Sequence, residues 1–272
     1  MAYNPDLAID LEKVIAERTG GKKVPHFVVR ALEKFLHVDL MNGLLVQGYE
    51  GQEFLDKAVE YLDVKAEIEG LDRIDTSSGR KYTFVSNHPL GGIDGVILAS
   101  NLGKLFPDVK MRFQVNDFLM NIPGIRDVSV PVSKTGAQSR DLPRLINEYY
   151  SSDDQLLIFP AGMCSRRIDG RIQDLPWRKT FITKSVQNGR WIVPIHFIGE
   201  NSRRFYRVAN ICKALHTKFN FAMTFLPDEM ARGMHKTFRV VVGEPIPPEF
   251  FDSSKTASEW AEWTRQEVYK LQ

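Results

Sequence analysis

The segment FVSNHPLGGIDG, residues 84–95, places a histidine where an apolar run ends and an acidic residue six positions later. The run KYTFVS (81–86) is predicted to be a strand. Pro89 and the two glycines after it predict a turn whose backbone can come close to a bound molecule. In open α/β sheets, ligands bind outside the carboxyl ends of the strands. His88 therefore lies at a candidate site, with Asp94 within reach through the turn.

The pair of His88 and Asp94 is suited to general base catalysis. A carboxylate that accepts one ring N–H of an imidazole fixes the tautomer and makes the other nitrogen more basic. Such a base needs no nucleophilic serine or cysteine. The residues alone also permit a structural interpretation, in which His88 is a turn residue and Asp94 caps the next helix. Backbone N–H groups of the glycine turns are candidates for stabilising an oxyanion.

Outward from this segment, strand-like and helix-like segments alternate. Predicted strands cover 109–115, 127–132, 155–159, 190–199, 219–225 and 238–246, and predicted helices cover 95–106, 139–150, 177–188 and 255–271. Strands separated by helices of this length indicate an α/β fold. We expect a mixed, partly parallel sheet flanked by helices.

The N-terminal part of the chain has a different pattern. Apolar residues recur at helical spacing up to about residue 65, and a polar stretch at 70–80 precedes the first predicted strand. We therefore expect an N-terminal helical segment, residues 1–70, and an α/β domain, residues 71–272.

Residues 27–46 within this N-terminal segment combine an apolar face with basic neighbours. The basic residues are Lys22, Lys23, Arg30 and Lys34. Such a helix either packs on the main domain or lies on a membrane surface, and the pattern alone permits both arrangements.

Composition narrows the class of protein. The 272-residue chain has a net charge of +2, with 43% hydrophobic and 26% charged residues, which is ordinary for a globular protein and indicates no nucleic-acid partner. Two distant cysteines, Cys164 and Cys212, argue against a disulfide framework, and no His or Cys spacing suggests a metal site. No apolar run approaches the roughly 20 residues of a membrane-spanning helix. The N-terminus carries no secretion signal, so we expect a cytoplasmic location.

Three further segments follow the Asn87-His88 pair in order. They are IPGIRDVSVPVSKTG (122–136), LLIFPAGMCSRR (156–167) and WIVPIHFIG (191–199). Together these blocks resemble the motifs of the PlsC-like glycerolipid and lysophospholipid acyltransferases, over about residues 80–200. In that family, NH is followed after four residues by Asp, and then come a basic block, the sequence FPEGTRS and a strand containing VP.

The resemblance implies an enzyme of membrane lipid biosynthesis. It would move a fatty acyl group from a thioester of acyl carrier protein or coenzyme A to the hydroxyl of a lipid acceptor. His88 would be the general base and Asp94 its orienting partner, and neither a bound cofactor nor a metal is expected. A lipid product also implies peripheral attachment to the inner face of the cell membrane.

Family positions and nearby basic residues provide candidates for substrate binding. They are Lys134, Gly162, Ser165, Arg166 and Arg167. Guanidinium and ammonium groups bind phosphate or carboxylate on a donor or an acceptor. For the basic residues, a solvated surface is the alternative interpretation.

The chain departs from the family pattern in three places, one of which is Ser133, where the family has Asp before the basic residue that matches Lys134. Five residues rather than four separate His88 from Asp94, and we expect the glycine pair to absorb the extra residue. Ala161, Met163 and Cys164 occupy the Glu, Thr and Arg positions of FPEGTRS. Because the family Glu and Arg help to hold glycerol phosphate, we expect an acylated amino acid with a 3-hydroxyl, as in ornithine- or glycine-type lipids. Lysophosphatidic acid is the main alternative acceptor.

Two other classes of protein stay open on the sequence alone. The first is a lipid hydrolase, with Ser86 or Cys164 as nucleophile and His88 as its base, although no G-x-S-x-G motif is present. The second is a lipid-binding module without catalytic activity, against which the His88 and Asp94 pair argues.

Overall fold

Strands and helices alternate through most of the chain in the computed structural model, which describes residues 3–21, 24–115, 122–131, 142–215 and 221–272. The strands are β1 (Lys65–Glu69), β2 (Tyr82–Ser86), β3 (Met111–Val115), β4 (Ser129–Pro131), β5 (Gln155–Ile158), β6 (Arg166–Ile168), β7 (Arg171–Gln173), β8 (Trp191–Ile198) and β9 (Thr237–Val242). The α-helices are α1 (Leu11–Thr19), α2 (His26–Phe35), α3 (Val38–Leu45), α4 (Gly51–Tyr61), α5 (Ile93–Gly103), α6 (Leu142–Ser151), α7 (Thr180–Gln187), α8 (Arg203–Ala214), α9 (Leu226–Gly233) and α10 (Ala257–Lys270).

Seven of the strands form one sheet, in the order β1-β9-β8-β2-β5-β3-β4. Neighbouring strands are parallel except for β8 and β9, which are antiparallel. β6 and β7 form a separate antiparallel hairpin. The predicted α/β fold with a mixed sheet is confirmed. Because β2 runs parallel to β5 on one side and β8 on the other, the segments after these three strands meet at one edge of the sheet.

The central strand β2 is buried along its whole length because helices cover both faces of the sheet. Successive side chains of a strand point to opposite faces. Phe84 accordingly packs in the cluster that contains Ile97 of α5, and Val85 packs in the cluster that contains Phe181 of α7 and Trp260 of α10. This two-sided burial explains the continuous apolar run in the sequence.

The segment predicted as a strand at 219–225 has a different structure where it is described. Phe221–Phe225 forms a 3-10 helix between α8 and α9, so the strand prediction is wrong there. The apolar residues of this segment do not face the sheet. Ala222 packs with Phe205 and Tyr206 of α8 in a separate hydrophobic cluster. The strand β1, the β6–β7 hairpin and helices α8 and α9 were not predicted.

The N-terminal segment contributes both helices and a strand. Its last residues form β1, which pairs in parallel with β9 from Lys65↔Thr237 to Glu69↔Val241. Val29 of α2 is buried with Leu11 and Val38, so part of the apolar face of residues 27–46 points inward. The division of the chain into 1–70 and 71–272 stays a prediction. No helix among the described residues is long and apolar enough to cross a bilayer.

Candidate active site

His88 and Asp94 meet at the end of β2 despite the extra residue between them. His88 Nδ1 lies 3.0 Å from Asp94 Oδ2. The turn that joins them closes through Gly91, whose φ of +78° is in the left-handed region that favours glycine. The Asp94 side chain has no exposed surface, and that of His88 is 18% exposed. The glycine turn therefore absorbs the extra residue as expected, and the imidazole keeps access to solvent.

The Asp94 carboxylate is surrounded by backbone donors. Oδ2 accepts from the N–H groups of Leu90 at 2.9 Å and Gly91 at 3.3 Å, and Oδ1 accepts from those of Gly92 and Gly95, both at 3.0 Å. Burial by itself raises the pKa of Asp94, but the His88 ring and these N–H donors outweigh it, so the pKa lies below its ordinary value. The N–H groups of the first glycine turn thus face Asp94 instead of a substrate oxyanion.

The His88 imidazole is held in one orientation. Its ring packs on that of Phe159, with a centroid distance of 4.1 Å. Burial by itself lowers the pKa of His88, but the charge of Asp94 and the hydrogen bond to it outweigh burial and raise the pKa above its ordinary value. An ionised carboxylate only accepts hydrogen bonds, so Nδ1 carries the proton in the neutral ring. Nε2 is then the acceptor.

Asn87, the residue before the histidine, joins β2 to β8. Its Nδ2 donates to the Phe197 carbonyl at 2.9 Å, and its Oδ1 accepts from the Phe197 N–H at 2.7 Å. The side chain thereby continues the hydrogen bonding between the two strands past the end of β2. This contact fixes the position from which the chain turns into His88.

The turn after β5, residues 159–165, lies against His88 because β5 is the parallel neighbour of β2. Its last residue, Ser165, donates its backbone N–H to the His88 carbonyl at 2.8 Å. Ala161 and Cys164 are buried, and Met163 is half-buried. The positions that are charged in FPEGTRS are thus occupied by apolar side chains packed into the protein.

The residues predicted to bind substrate have distinct environments. Gly162 is exposed at the tip of this turn, with a φ of +67°. The Ser165 hydroxyl is buried and donates to Asp174 at 2.6 Å. Arg166 Nη1 donates to the carbonyl of Cys164 and lies 3.1 Å from its sulfur, whereas Nη2 is buried with no hydrogen-bond partner in the described part of the chain.

Two candidates for substrate binding remain, and the structure describes one of them. Arg167 is exposed on β6. Lys134 lies outside the described residues, so its role stays a prediction.

Two residues near the site were missed by sequence analysis. Asp174 is buried behind His88 and accepts its backbone N–H at 3.2 Å. The exposed Arg178 places its Cζ 3.4 Å from where a Cβ on Gly162 would lie. Its side chain makes no hydrogen bond or ion pair with any residue that the structure describes. Both follow the β6–β7 hairpin, whose strands of three residues are too short to give a signal in the sequence.

The alternative nucleophiles are poorly placed. Ser86 is fully buried, and its hydroxyl donates to the Asn87 carbonyl at 2.8 Å. Cys164 is also buried, and burial raises the pKa of its thiol above the ordinary value, which disfavours the reactive thiolate. No group of three or more His, Cys, Asp or Glu side chains within the described ranges is arranged to hold a metal ion.

Comparison with known proteins gives consistent matches along the chain. A family model described as "Acyltransferase" matches residues 13–272. A protein of Phocaeicola vulgatus is 47% identical over 267 residues, covering 97% of this chain and 95% of that protein, and one of Bacteroides thetaiotaomicron is 48% identical over 267 residues, covering 97% of each. Both are named "Lyso-glycine lipid O-acyltransferase". The crystal structure of the 1-acyl-sn-glycerophosphate acyltransferase PlsC from Thermotoga maritima aligns over 95% of this chain and 87% of that one, with a TM-score of 0.49 and 18% identity.

Replacing Asn87 with Ala is expected to lower the free energy of unfolding by about 2–6 kcal/mol. The change leaves the buried N–H and carbonyl of Phe197 without their partner, at about 1–3 kcal/mol for each unpaired group. Urea denaturation of both proteins measures the difference. The control is Asn101→Ala, which removes a half-buried amide that, among the described residues, bonds to the Ile97 carbonyl alone, within α5. Equal effects of the two changes would contradict the role given to Asn87.

Proposed function

Because the chain belongs to the acyltransferase family, we propose that it is a lipid O-acyltransferase whose acceptor is a lyso-glycine lipid. By this we mean a glycine with an N-linked acyl chain that bears a 3-hydroxyl group. The acyl donor is a thioester of acyl carrier protein or coenzyme A. The observation that carries this proposal is the His88 imidazole, bound at Nδ1 by a buried Asp94 and left with Nε2 as a proton acceptor.

In the proposed reaction, the acceptor hydroxyl attacks the thioester carbonyl while His88 Nε2 takes the hydroxyl proton. A C–O bond forms, the C–S bond breaks, and the proton passes from Nε2 to the departing sulfur. The products are an ester and a free thiol. Asp94 stabilises the transient imidazolium and keeps the ring oriented. Because a thioester is already activated, no acyl-enzyme is required.

The environments of the alternative nucleophiles support direct transfer over hydrolysis. The Ser86 hydroxyl bonds to a backbone carbonyl and has no exposed surface. The Cys164 thiol is buried with a raised pKa. Neither forms a hydrogen bond with His88, so neither of these two side chains is placed for the histidine to activate.

The acceptor is proposed from the composition of the site and from the names of the relatives. A phosphate-bearing acceptor requires charged partners, but the FPEGTRS positions of the family contain Ala161 and Cys164, both buried. Two relatives that match nearly the whole chain are named for a lyso-glycine lipid. The headgroup of such a lipid carries one carboxylate and no phosphate.

Two guanidinium groups are the proposed partners of that carboxylate. Arg166 has a buried Nη2 with no partner among the described residues, and it is close enough to His88 to affect its pKa. Arg178 lies against Gly162 at the tip of the same turn. A planar guanidinium matches a carboxylate through two parallel hydrogen bonds. We assign to Arg178 the contact with the carboxylate on the solvent side, because the Arg178 side chain is exposed.

Peripheral membrane attachment is part of the proposal, through a surface wider than residues 27–46. On α2, Phe27 is 75% exposed, beside Arg30. At the end of α8, Ile211 and Leu215 are 56% and 70% exposed, and the exposed basic residues of this helix include Arg203, Arg207 and Lys213.

Helices α2 and α8 are linked through the 3-10 helix Phe221–Phe225, since Phe35 of α2 packs on Phe225, which Arg204 of α8 covers. Exposed apolar side chains with basic neighbours suit an anionic lipid surface.

Replacing His88 with Ala is expected to lower the rate of acyl transfer by about two to four orders of magnitude, because the hydroxyl loses its proton acceptor. The assay follows a radiolabelled acyl thioester into diacylated lipid, and also detects free fatty acid. Cys164→Ala is the matched variant and is expected to retain transfer. Release of free acid without a new lipid would identify a hydrolase instead, and near-normal transfer by the His88 variant would remove the mechanism.

Replacing Arg178 with Gln is expected to raise KM for the lyso-glycine lipid by about 10–100-fold, because a charged hydrogen bond contributes about 1.5–3 kcal/mol. The same acceptor with glycinamide in place of glycine lacks the carboxylate. Its KM is expected to be the same in wild type and variant. Initial rates with both acceptors measure this difference.

The control for this experiment is Arg171→Gln, which removes an exposed guanidinium from β7. An equal KM for glycine and glycinamide acceptors in the wild-type enzyme would show that no carboxylate site exists. Efficient acylation of lysophosphatidic acid, with the lyso-glycine lipid ignored, would overturn the acceptor assignment altogether.

Replacing both Ile211 and Leu215 with Gln is expected to reduce recovery of the protein with vesicles containing anionic phosphatidylglycerol. Binding of the wild-type protein is expected to weaken in 1 M salt, where the Debye length is about 3 Å. Flotation with neutral and anionic vesicles measures both effects. Val186→Gln, which replaces an exposed apolar residue on α7, is the control. Equal recovery with neutral and anionic vesicles would exclude a role for the basic residues.

A further inference from the structure

A second buried carboxylate lies against the main chain of His88. Asp174 follows β7 and is 1% exposed. Its Oδ1 accepts the backbone N–H of His88 at 3.2 Å and the hydroxyl of Ser165 at 2.6 Å, and its Oδ2 accepts the indole N–H of Trp177 at 2.9 Å. One carboxylate thus joins the segment after β2 to the turn after β5.

The backbone of Asp174 is fixed from the other side by α10. Its N–H donates to the Tyr269 hydroxyl at 2.8 Å, and its carbonyl accepts from Arg265 Nη2 at 2.9 Å. The carboxylate is therefore held at its main chain as well as at its oxygens. Such support on both sides fixes a side chain within a narrow range of positions.

These contacts close a ring around the main chain of His88. Its N–H donates to Asp174, its carbonyl accepts the N–H of Ser165, and the hydroxyl of Ser165 donates to the same Asp174 oxygen. Both backbone polar groups of His88 are thereby engaged. The imidazole of His88 bonds to Asp94 through Nδ1. Two carboxylates, one at the main chain and one at the imidazole, therefore set the direction of Nε2.

We propose that Asp174 is a positioning residue for acyl transfer, which fixes the main chain of His88 both directly and through Ser165 and adds a second negative charge near the imidazolium that forms. This inference rests on the proposed function, in which His88 is the general base. Asp174 touches neither the acceptor hydroxyl nor the thioester in this arrangement. It acts through His88 alone.

The charged groups around His88 and Asp174 determine what removal of the Asp174 charge would change. The imidazole of His88 is faced by Asp94 and Asp174, which favour its charged form, and by Arg166, which opposes it. Burial raises the pKa of Asp174, whereas its hydrogen bonds to Ser165, Trp177 and His88 oppose that rise. Within the described part of the chain, the other titratable groups near Asp174 are His196, Arg265 and Tyr269.

The test is Asp174→Asn, which preserves shape and one acceptor oxygen but removes the charge. We expect kcat to fall by up to about 100-fold, the loss that a displacement of about 1 Å can cause, with KM for the acceptor unchanged. We also expect the acid limb of the kcat/KM profile to move to lower pH, because His88 loses a charge that favours protonation. A merely structural role for Asp174 would leave that limb in place.

The matched control is Asp169→Asn. It removes one negative charge from the turn of the same β6–β7 hairpin, at an exposed residue whose φ of +49° asparagine tolerates. We expect it to leave kcat and the pH profile unchanged. If the control shifts the acid limb as far as Asp174→Asn does, the effect is one of net charge and the proposal is wrong.

A second variant covers the case in which Asp174→Asn does not fold. Ser165→Ala removes only the hydroxyl that completes the ring, and we expect it to lower kcat severalfold without moving the acid limb. Unchanged kcat in Ser165→Ala, or an unmoved acid limb in a folded Asp174→Asn, would overturn the inference. Activity retained in His88→Ala would instead show that the proposed function has failed.

Discussion

The buried carboxylate of Asp94 is the constraint on which the geometry of the site depends. An ionised group without exposed surface is stable only when its charge is met by donors. Four backbone N–H groups and the His88 ring supply them. To bring those N–H groups onto one carboxylate, the chain must turn sharply between β2 and α5, which explains the glycines. A Cβ on Gly91 would lie 2.9 Å from Leu226 and 3.1 Å from the Cβ of Cys164, so the turn also fits closely against its neighbours.

The sheet order then determines which segments surround this turn. β2 lies between β5 and β8, and all three strands run in the same direction. The segment after β5 contributes Phe159, which packs on the imidazole. The segment after β8 contributes Asn201, whose side chain donates to the Pro89 carbonyl at 3.0 Å. The pair of His88 and Asp94 is thus local in sequence, whereas the groups that hold the pair come from the segments after the two neighbouring strands.

This division between local and distant contacts explains what the sequence could predict. The buried strands β2, β5 and β8 and the helices α5 and α10 produce apolar patterns that are visible in the sequence, and most were predicted with small shifts at their ends. The strand prediction was wrong at 221–225 because the apolar residues of this segment alternate like those of a strand but cover α8. The helical pattern near residues 27–46 was correct, yet it could not show that Val29 packs inward while Phe27 is exposed.

The same reasoning applies to the site. His88 and Asp94 are six residues apart and lie in one turn, so their contact could be inferred from spacing and glycine content. Asp174 is 86 positions from His88, and its contact depends on a short hairpin whose strands of three residues leave no periodic pattern. Arg178 likewise approaches Gly162 only because the chain returns to the turn after that hairpin. Contacts of this kind require the three-dimensional structure.

In the proposed function, the replaced family positions allow the same base to serve a different headgroup. Ala161 packs in the cluster that contains Trp177, so the apolar interior reaches the turn where the family carries a glutamate. In the proposed function, positive charge is supplied instead by Arg166, at the start of the hairpin, and Arg178, after it. A single carboxylate needs less opposing charge than a phosphate and can be held by one guanidinium fork. The pair of His88 and Asp94 is held by backbone donors and not by the side chains of Arg166 and Arg178. The headgroup contacts can therefore change while the geometry of the pair is preserved.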